Sequence, residues 1–271
     1  MSPSGVFFLL ILVSMVDIKT SPEKGCLLYS YGTHQEDESN PKHDDGTSEI
    51  TPSVPFTFYG KTYQTVFVNN NGVISFDEPI KQYTPDPFPL VDGHPFMAPY
   101  WADVENVWTR GDIFYHQTTD AVLLEDISQD ISQYFPKSPF TTTWALVATW
   151  DPMAYYGSTS EKGNTFQAVL TTDSKMFYTT LNYWDIQWTT WAASNGDAET
   201  GLGGTPAHVG GEGEGGGGGC PTPCSEDDGD EGQGLAHPFP GDDNDHGHDE
   251  GPGLAHNIFG EVKFSSPIFW R

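Results

Sequence analysis

The stretch NTFQAVLTTDSKMFYTTLNYWDIQW occupies residues 164 to 188. Phe166, Ala168 and Leu170 alternate along its first arm, and Phe177, Thr179, Leu181 and Tyr183 along its second, with Asp173-Ser174-Lys175 between them. A side-chain period of two, rich in aromatic and β-branched residues and broken by a polar trio, is the pattern of a β-hairpin with one buried face. Just upstream, Thr141 to Trp150 places Trp144, Leu146, Ala148 and Trp150 on one side and Val147 on the other. A strand apolar on both sides belongs in the middle of a sheet.

Working outward, Val54 to Val68 alternates Phe56 and Phe58, then Val66 and Val68, around a turn at Tyr59-Gly60-Lys61, and reads as another hairpin. Asn69-Asn70-Asn71-Gly72 follows, a run tolerant of positive φ, and leads into Val73-Ile74-Ser75-Phe76. One helix interrupts the strands: Leu124, Ile127, Ile131 and Phe135 recur at helical spacing, Asp126, Gln129, Asp130 and Gln133 lie opposite, and Pro136 closes the segment. These elements predict a mainly β fold, an antiparallel β-sandwich-like domain with one docked helix, followed by a disordered acidic Gly-rich tail.

Composition narrows the function. Against 38 Asp and Glu the 271-residue chain sets 11 Lys and Arg, a formal charge of -27. Such a surface repels nucleic-acid phosphate and anionic membrane, so a nucleic-acid partner is excluded. Aromatic residues make up 14% of the chain, too many for a wholly disordered polyanion. Residues 6 to 16 form an apolar run of signal-peptide length, too short to span a bilayer, which assigns residues 1 to 20 to a secretory signal cut between residues 15 and 25. Cys26, Cys220 and Cys224 are too few for a disulfide scaffold, and the pair at 220 and 224 lacks the second pair that a zinc site needs.

From residue 211 to about 257 the chain turns to Gly, Asp, Glu and His with almost nothing apolar, and is expected to be disordered; residues 258 to 271 are left unassigned. Gly211 to Gly216 satisfies G-x-G-x-x-G in form, yet its two glutamates would face a pyrophosphate. Asp242 to Glu250 is rich in oxygen ligands but misses the EF-hand register in every frame.

Three groups of residues, in order, carry a resemblance: Asp44-Asp45-Gly46-Thr47-Ser48-Glu49-Ile50, Phe67 to Phe76 with its Asn69-Asn70-Asn71-Gly72, and Ala98-Pro99-Tyr100-Trp101-Ala102-Asp103-Val104. The stretches 164 to 170, 182 to 190 and Gly201-Leu202-Gly203-Gly204 continue it. Residues 26 to 210, with a core about 98 to 210, thus resemble the nidogen-type (NIDO) extracellular domain found in nidogens, tectorins and a membrane mucin. The likeness fades after Val209. The resemblance implies a secreted, non-catalytic protein of extracellular matrix and cell-matrix adhesion, partnered by matrix or cell-surface glycoproteins, with no membrane span and no cofactor.

Four further readings concern individual side chains. Asn69, Asn70, Asn71, Gly72, Trp101 and Asp103 are expected to be structural, building a tight connection and packing the family core. Asp44, Asp45 and Asp103 are the candidate Ca²⁺ ligands, should the loops that hold them converge. Asp103 and Glu105, two apart, would share a strand face as a glycosidase carboxylate pair does. Trp188 and Trp191, near Asn195, would stack on sugars if exposed and serve the core if buried. No G-x-S-x-G, H-E-x-x-H or P-loop is present.

Overall fold

The computed structural model describes residues 27–35, 37–43, 45–86, 93–107 and 111–213, and the backbone of 268–270. In chain order the first strands are β1 (Glu38–Ser39), β2 (Thr47–Ile50), β3 (Phe56–Phe58), β4 (Lys61–Tyr63), β5 (Val66–Asn69), β6 (Val73–Ser75), β7 (Phe96–Trp101), β8 (Val104–Glu105) and β9 (Asp112–Thr118). The helix α1 (Ala121–Tyr134) precedes β10 (Trp144–Tyr155), β11 (Asn164–Thr172), β12 (Phe177–Asp185), β13 (His208–Glu212) and β14 (Ile268–Trp270). One sheet runs β1-β9-β10-β11-β12-β14, with β8 also on β10; the second runs β13-β7-β6-β5-β2; β3 and β4 pair with each other. All these pairings are antiparallel.

Strand alternation builds the layers. Across β10 and β11, Leu146 meets Leu170, Ala148 meets Ala168 and Trp150 meets Phe166, the last pair stacked with ring centroids 5.0 Å apart. These residues share one contiguous core with Ile50, Val66, Val68, Ile74 and Met97 of the second sheet. The other side of β10 and β11, with Ala145, Val147 and Val169, takes Leu124, Ile127 and Ile131 of α1. β10 is therefore flanked on both edges and covered on both faces, as its two-sided apolar pattern requires. Asp120 caps the helix, its Oδ1 accepting from the backbone N–H of Val122 and Leu123 at 3.1 and 3.0 Å. Ser128 Oγ donates to the Leu124 carbonyl and accepts from Thr142 N, which ties α1 to the entry of β10.

Several boundaries differ from the sequence reading, for local reasons. The turn at Tyr59 and Gly60, both with positive φ, closes β3 on β4, but Val66 to Asn69 leaves that hairpin and joins the second sheet between β2 and β6. β10 continues past Trp150 to Tyr155 through a register shift between Trp150 and Met153. β12 ends at Asp185 instead of reaching Trp188, because Asn164 Oδ1 captures the N–H groups of Gln187 and Trp188 at 2.7 and 3.1 Å. β13 runs to Glu212, pairing Gly211 with Met97 and Glu212 with Phe96, so the ordered sheet passes the boundary expected at residue 210. Residues 1 to 20, Asp44 and residues 214 to 257 lie outside the described residues. Within the unassigned segment, Ile268–Trp270 pairs with β12.

Candidate functional site

The Asn69-Asn70-Asn71-Gly72 run joins β5 to β6, with Asn69 paired to Val73. Gly72 alone of the four takes positive φ, at 72°, and a Cβ there would lie 1.9 Å from the Tyr100 carbonyl oxygen. No side chain fits, so the crossing of this turn under β7 demands glycine. The three asparagines are buried, and their amides reach in different directions. Asn69 Nδ2 donates to the Val73 carbonyl at 3.0 Å and to Ser75 Oγ at 3.1 Å, while its Oδ1 accepts from Thr47 Oγ1 and Ile80 N.

Asn70 is the centre of a network. Its Nδ2 donates to the His43 carbonyl at 2.7 Å and to Asn106 Oδ1 at 3.3 Å; its Oδ1 accepts from Asn40 Nδ2 at 3.0 Å; its carbonyl accepts from Trp150 Nε1 at 3.2 Å. Asn71 Nδ2 donates to Asp45 Oδ1 at 3.0 Å, and Asn71 Oδ1 accepts from Val104 N at 3.1 Å. Neutral amides that both donate and accept thus join four loops at little electrostatic cost, which charged groups could not do in a buried place.

Trp101 is fully buried on the outer face of the second sheet, edge-on to Phe96 at 5.3 Å, with Nε1 donating to the Gln82 carbonyl at 2.9 Å. β7 keeps Met97 and Tyr100 on the inner face and Ala98 and Trp101 on the outer only because its register with β13 slips between His208 and Gly210. Asp103 is 5% exposed, and its carbonyl accepts from Tyr156 N at 3.0 Å. Asn71 therefore links the loop of Asp45 to the loop that follows Asp103. Among the described residues no group of three or more His, Cys, Asp or Glu gathers to hold a metal.

The geometry also addresses the two rival readings. Asp103 precedes β8 and is not part of it, and Glu105 Oε1 accepts from Val107 N at 2.7 Å, so the two carboxylates do not share a strand face. Trp188 and Trp191 are fully buried. Trp188 lies against Tyr100 and Tyr155, donates from Nε1 to the Met153 carbonyl at 2.8 Å, and its own carbonyl accepts from Tyr100 Oη at 2.6 Å and Asn164 Nδ2 at 2.9 Å. Burial raises the pKa of Tyr100 and Tyr183, which keeps both phenols protonated as donors; Tyr183 Oη donates to the Pro99 carbonyl at 2.8 Å.

Sequence reasoning missed Asn40, Asn106 and Asn164, all buried. Asn40 precedes a proline and reads as surface turn, while Asn164 opens a strand; nothing periodic marks either as core. Beside the hub, an open cleft of about 540 Å³ is lined by His43, Asp45, Glu49, Phe67 and Lys81 among others.

The Nidogen-like domain family matches residues 64–224. Alpha-tectorin of Mus musculus is 47% identical over 186 residues, covering 68% of this chain and 9% of that protein. Alpha-tectorin of Homo sapiens is 44% identical over 205 residues, covering 74% and 9%, and Nidogen-2 of Mus musculus is 33% identical over 193 residues, covering 67% and 13%. The chain thus spans about a tenth of the length of these relatives. No solved structure matches it. The matched residues take in β5 to β13 and the whole asparagine hub turn, more than half of the chain, and the chain belongs to the nidogen-like domain family.

Proposed function

We propose that the chain is a secreted, non-catalytic module of extracellular matrix and cell-matrix adhesion, with matrix or cell-surface glycoproteins as its partners. The observation that carries this reading is the fate of the motif residues: Asn69, Asn70, Asn71, Gly72, Trp101, Asp103, Trp188 and Trp191 are all buried. Side chains spent on holding loops in place make a rigid display scaffold, and recognition then falls to the loops and faces around it. Family membership shared with tectorins and nidogens points the same way. The acidic surface favours partners with basic patches and makes capture salt-dependent. Burial of Trp188 and Trp191 removes the basis for a sugar-stacking site. The test is to express the full chain in cultured animal cells, compare medium with lysate, and measure binding to immobilised basement-membrane extract. Export and saturable, salt-sensitive binding are expected; retention in the cell, or binding no greater than that of an acidic control protein, would sink the reading.

A further inference from the structure

The second sheet ends differently on its two sides. At one end β13 is buried from Gly210 to Glu212. At the other, β2 has Glu49 exposed and Thr47 half-buried, and among the described residues it has a strand on one side only, β5. The bonds to β5 set the phase of this edge. Asn70 N donates to the Gly46 carbonyl at 2.9 Å, which makes Thr47 and Asn69 a non-hydrogen-bonded pair. Ser48 and Ile50 therefore turn their N–H and C=O groups to β5, and Thr47 and Glu49 turn theirs outward. Such an edge is a template for one more strand.

What surrounds the edge selects the strand that fits. The open cleft beside the hub runs from Thr47 and Glu49 to Phe67 and takes in Asp45 and Lys81. Phe67 stands directly opposite Glu49 and joins none of the core clusters formed by the described residues. It lies two strand spacings, about 10 Å, from an added strand, a gap that a large aromatic side chain leaning over β2 crosses. The entry to β2 is fixed in advance: Asp45 Oδ1 accepts from Asn71 Nδ2 at 3.0 Å, and a Cβ on Gly46 would lie 2.6 Å from Asn70 Nδ2 and 2.7 Å from the Pro41 carbonyl oxygen. Little ordering is then left for binding to impose. The cleft sets the carboxylates of Asp45 and Glu49 against the one ammonium of Lys81, on a chain of formal charge -27. That charge turns away a second copy of the same edge, where Glu49 would approach Glu49, and draws a basic one.

We propose that β2 is a strand-addition site for an extended basic segment of a partner protein. The segment pairs its backbone with Thr47 and Glu49, lays an aromatic side chain toward Phe67, and sets Lys or Arg two residues to either side against Glu49 and Asp45. Residues two apart share a strand face, so the site reads a basic-x-aromatic-x-basic pattern. This deepens the adhesion reading and rests on it for the presence of such a partner outside the cell.

The experiment titrates the full chain with a fluorescein-labelled peptide, Thr-Lys-Thr-Phe-Thr-Lys-Thr, whose Lys and Phe side chains share one face. A second peptide carries Glu for Lys, and a third keeps Lys but is N-methylated along its central three residues and cannot pair. Fluorescence anisotropy reads affinity, and hydrogen exchange followed by NMR reads the place. The Lys peptide is expected to bind saturably, and both controls at least about tenfold more weakly. Glu49→Lys, an exposed change, is expected to weaken the Lys peptide at least about tenfold with the unfolding curve unchanged. Exchange at the Thr47 and Glu49 amides is expected to slow only when that peptide is bound, while Ser48 and Ile50 are protected throughout. Absence of saturable binding, indifference to N-methylation or to Glu49→Lys, or unchanged exchange at Thr47 and Glu49 would each overturn the site. Full binding of Glu49→Lys to matrix extract would overturn β2 as the adhesive edge and leave the adhesion reading standing. Peptide bound at Thr47 and Glu49 by a chain that ignores the extract would support the edge and remove the adhesion reading alone.

Discussion

Gly72 and Gly60 offer a paired test of the hub. Both have positive φ, 72° and 80°, but a Cβ at Gly60 meets nothing within 4 Å, whereas at Gly72 it meets the Tyr100 carbonyl oxygen at 1.9 Å. Gly60→Ala carries only the left-handed backbone penalty of about 1 to 2 kcal/mol, partly offset by a stiffer unfolded chain, for a net of about 1 kcal/mol. Gly72→Ala carries the same penalty and also needs the carbonyl of a strand paired on both edges to move by more than an ångström. That shift disturbs the bonds from Tyr100 N to the Gly72 carbonyl and from Ala102 N to the Asn71 carbonyl, at 3.2 and 3.1 Å. Adding about 1 kcal/mol for each of them and about 1 to 3 kcal/mol for overpacking gives about 4 to 6 kcal/mol in all. A domain of typical stability, about 5 to 15 kcal/mol, would survive Gly60→Ala and stand near its limit with Gly72→Ala. Denaturant unfolding followed by fluorescence of the buried Trp101, Trp144, Trp150, Trp188 and Trp191 measures both. A difference between the two variants below about 1 kcal/mol would refute the close crossing of turn and strand on which the hub depends.

Two further outcomes follow from the core and from one titrating group. Ile127→Ala removes a fully buried side chain between α1 and the sheet and is expected to cost about 2 to 5 kcal/mol, read by the same unfolding curves; a cost under about 1 kcal/mol would mean that the helix is not docked. Burial lowers the pKa of His208 below 6.5, with Asp86 acting weakly the other way. As pH falls through 6.5 the unfolded chain takes the proton first, so the contribution of His208 is full above that pH and is lost below it. His208→Gln should therefore flatten the fall in melting temperature between pH 7.5 and 5, and an unchanged slope would show that the imidazole is solvated in the native state.

What could be read from the sequence was whatever repeats locally. The helix α1 shows a clean period of 3.6 because it buries one stripe against a single layer. The hairpin of β11 and β12 shows a clean period of 2 although both its faces are covered, because Phe166, Ala168, Leu170 and Leu181 fill the face toward the second sheet while Gln167, Thr171, Thr180 and Asn182 alternate on the other. β7 was harder to see: all six residues from Phe96 to Trp101 are buried, and Pro99 sits inside a strand paired on both sides. A central proline argues against a strand unless a bulge accepts it, and the register slip opposite His208 and Gly210 does so. β9 alternates Ile113 and Tyr115 inward but begins and ends in polar residues, which weakens its signal. The partners of Asn70 were beyond reach, since Asn40, His43, Asn106 and Trp150 come from loops and strands with no local pattern in common.

The same network shows where the domain begins. The family match starts at residue 64, yet β2, at residues 47 to 50, is the partner that completes β5, and Asn40 and His43 complete the bonds of Asn70. Further upstream, Tyr29 lies along β11 as a strap: its N–H donates to Gln167 Oε1 and its carbonyl accepts from Gln167 Nε2, both at 3.0 Å. The side-chain amide of Gln167 thereby stands in for a neighbouring peptide. Tyr29 Oη donates to Asp130 of α1 at 2.6 Å, and burial together with that carboxylate raises its pKa so that it stays a donor. A chain cut at residue 64 would leave buried amides of Asn70 and Gln167 without these partners, and each unmet buried polar group costs about 1 to 3 kcal/mol. The folding unit therefore reaches back at least to Leu28, which is itself buried, and the resemblance marks its recognisable part, not its extent.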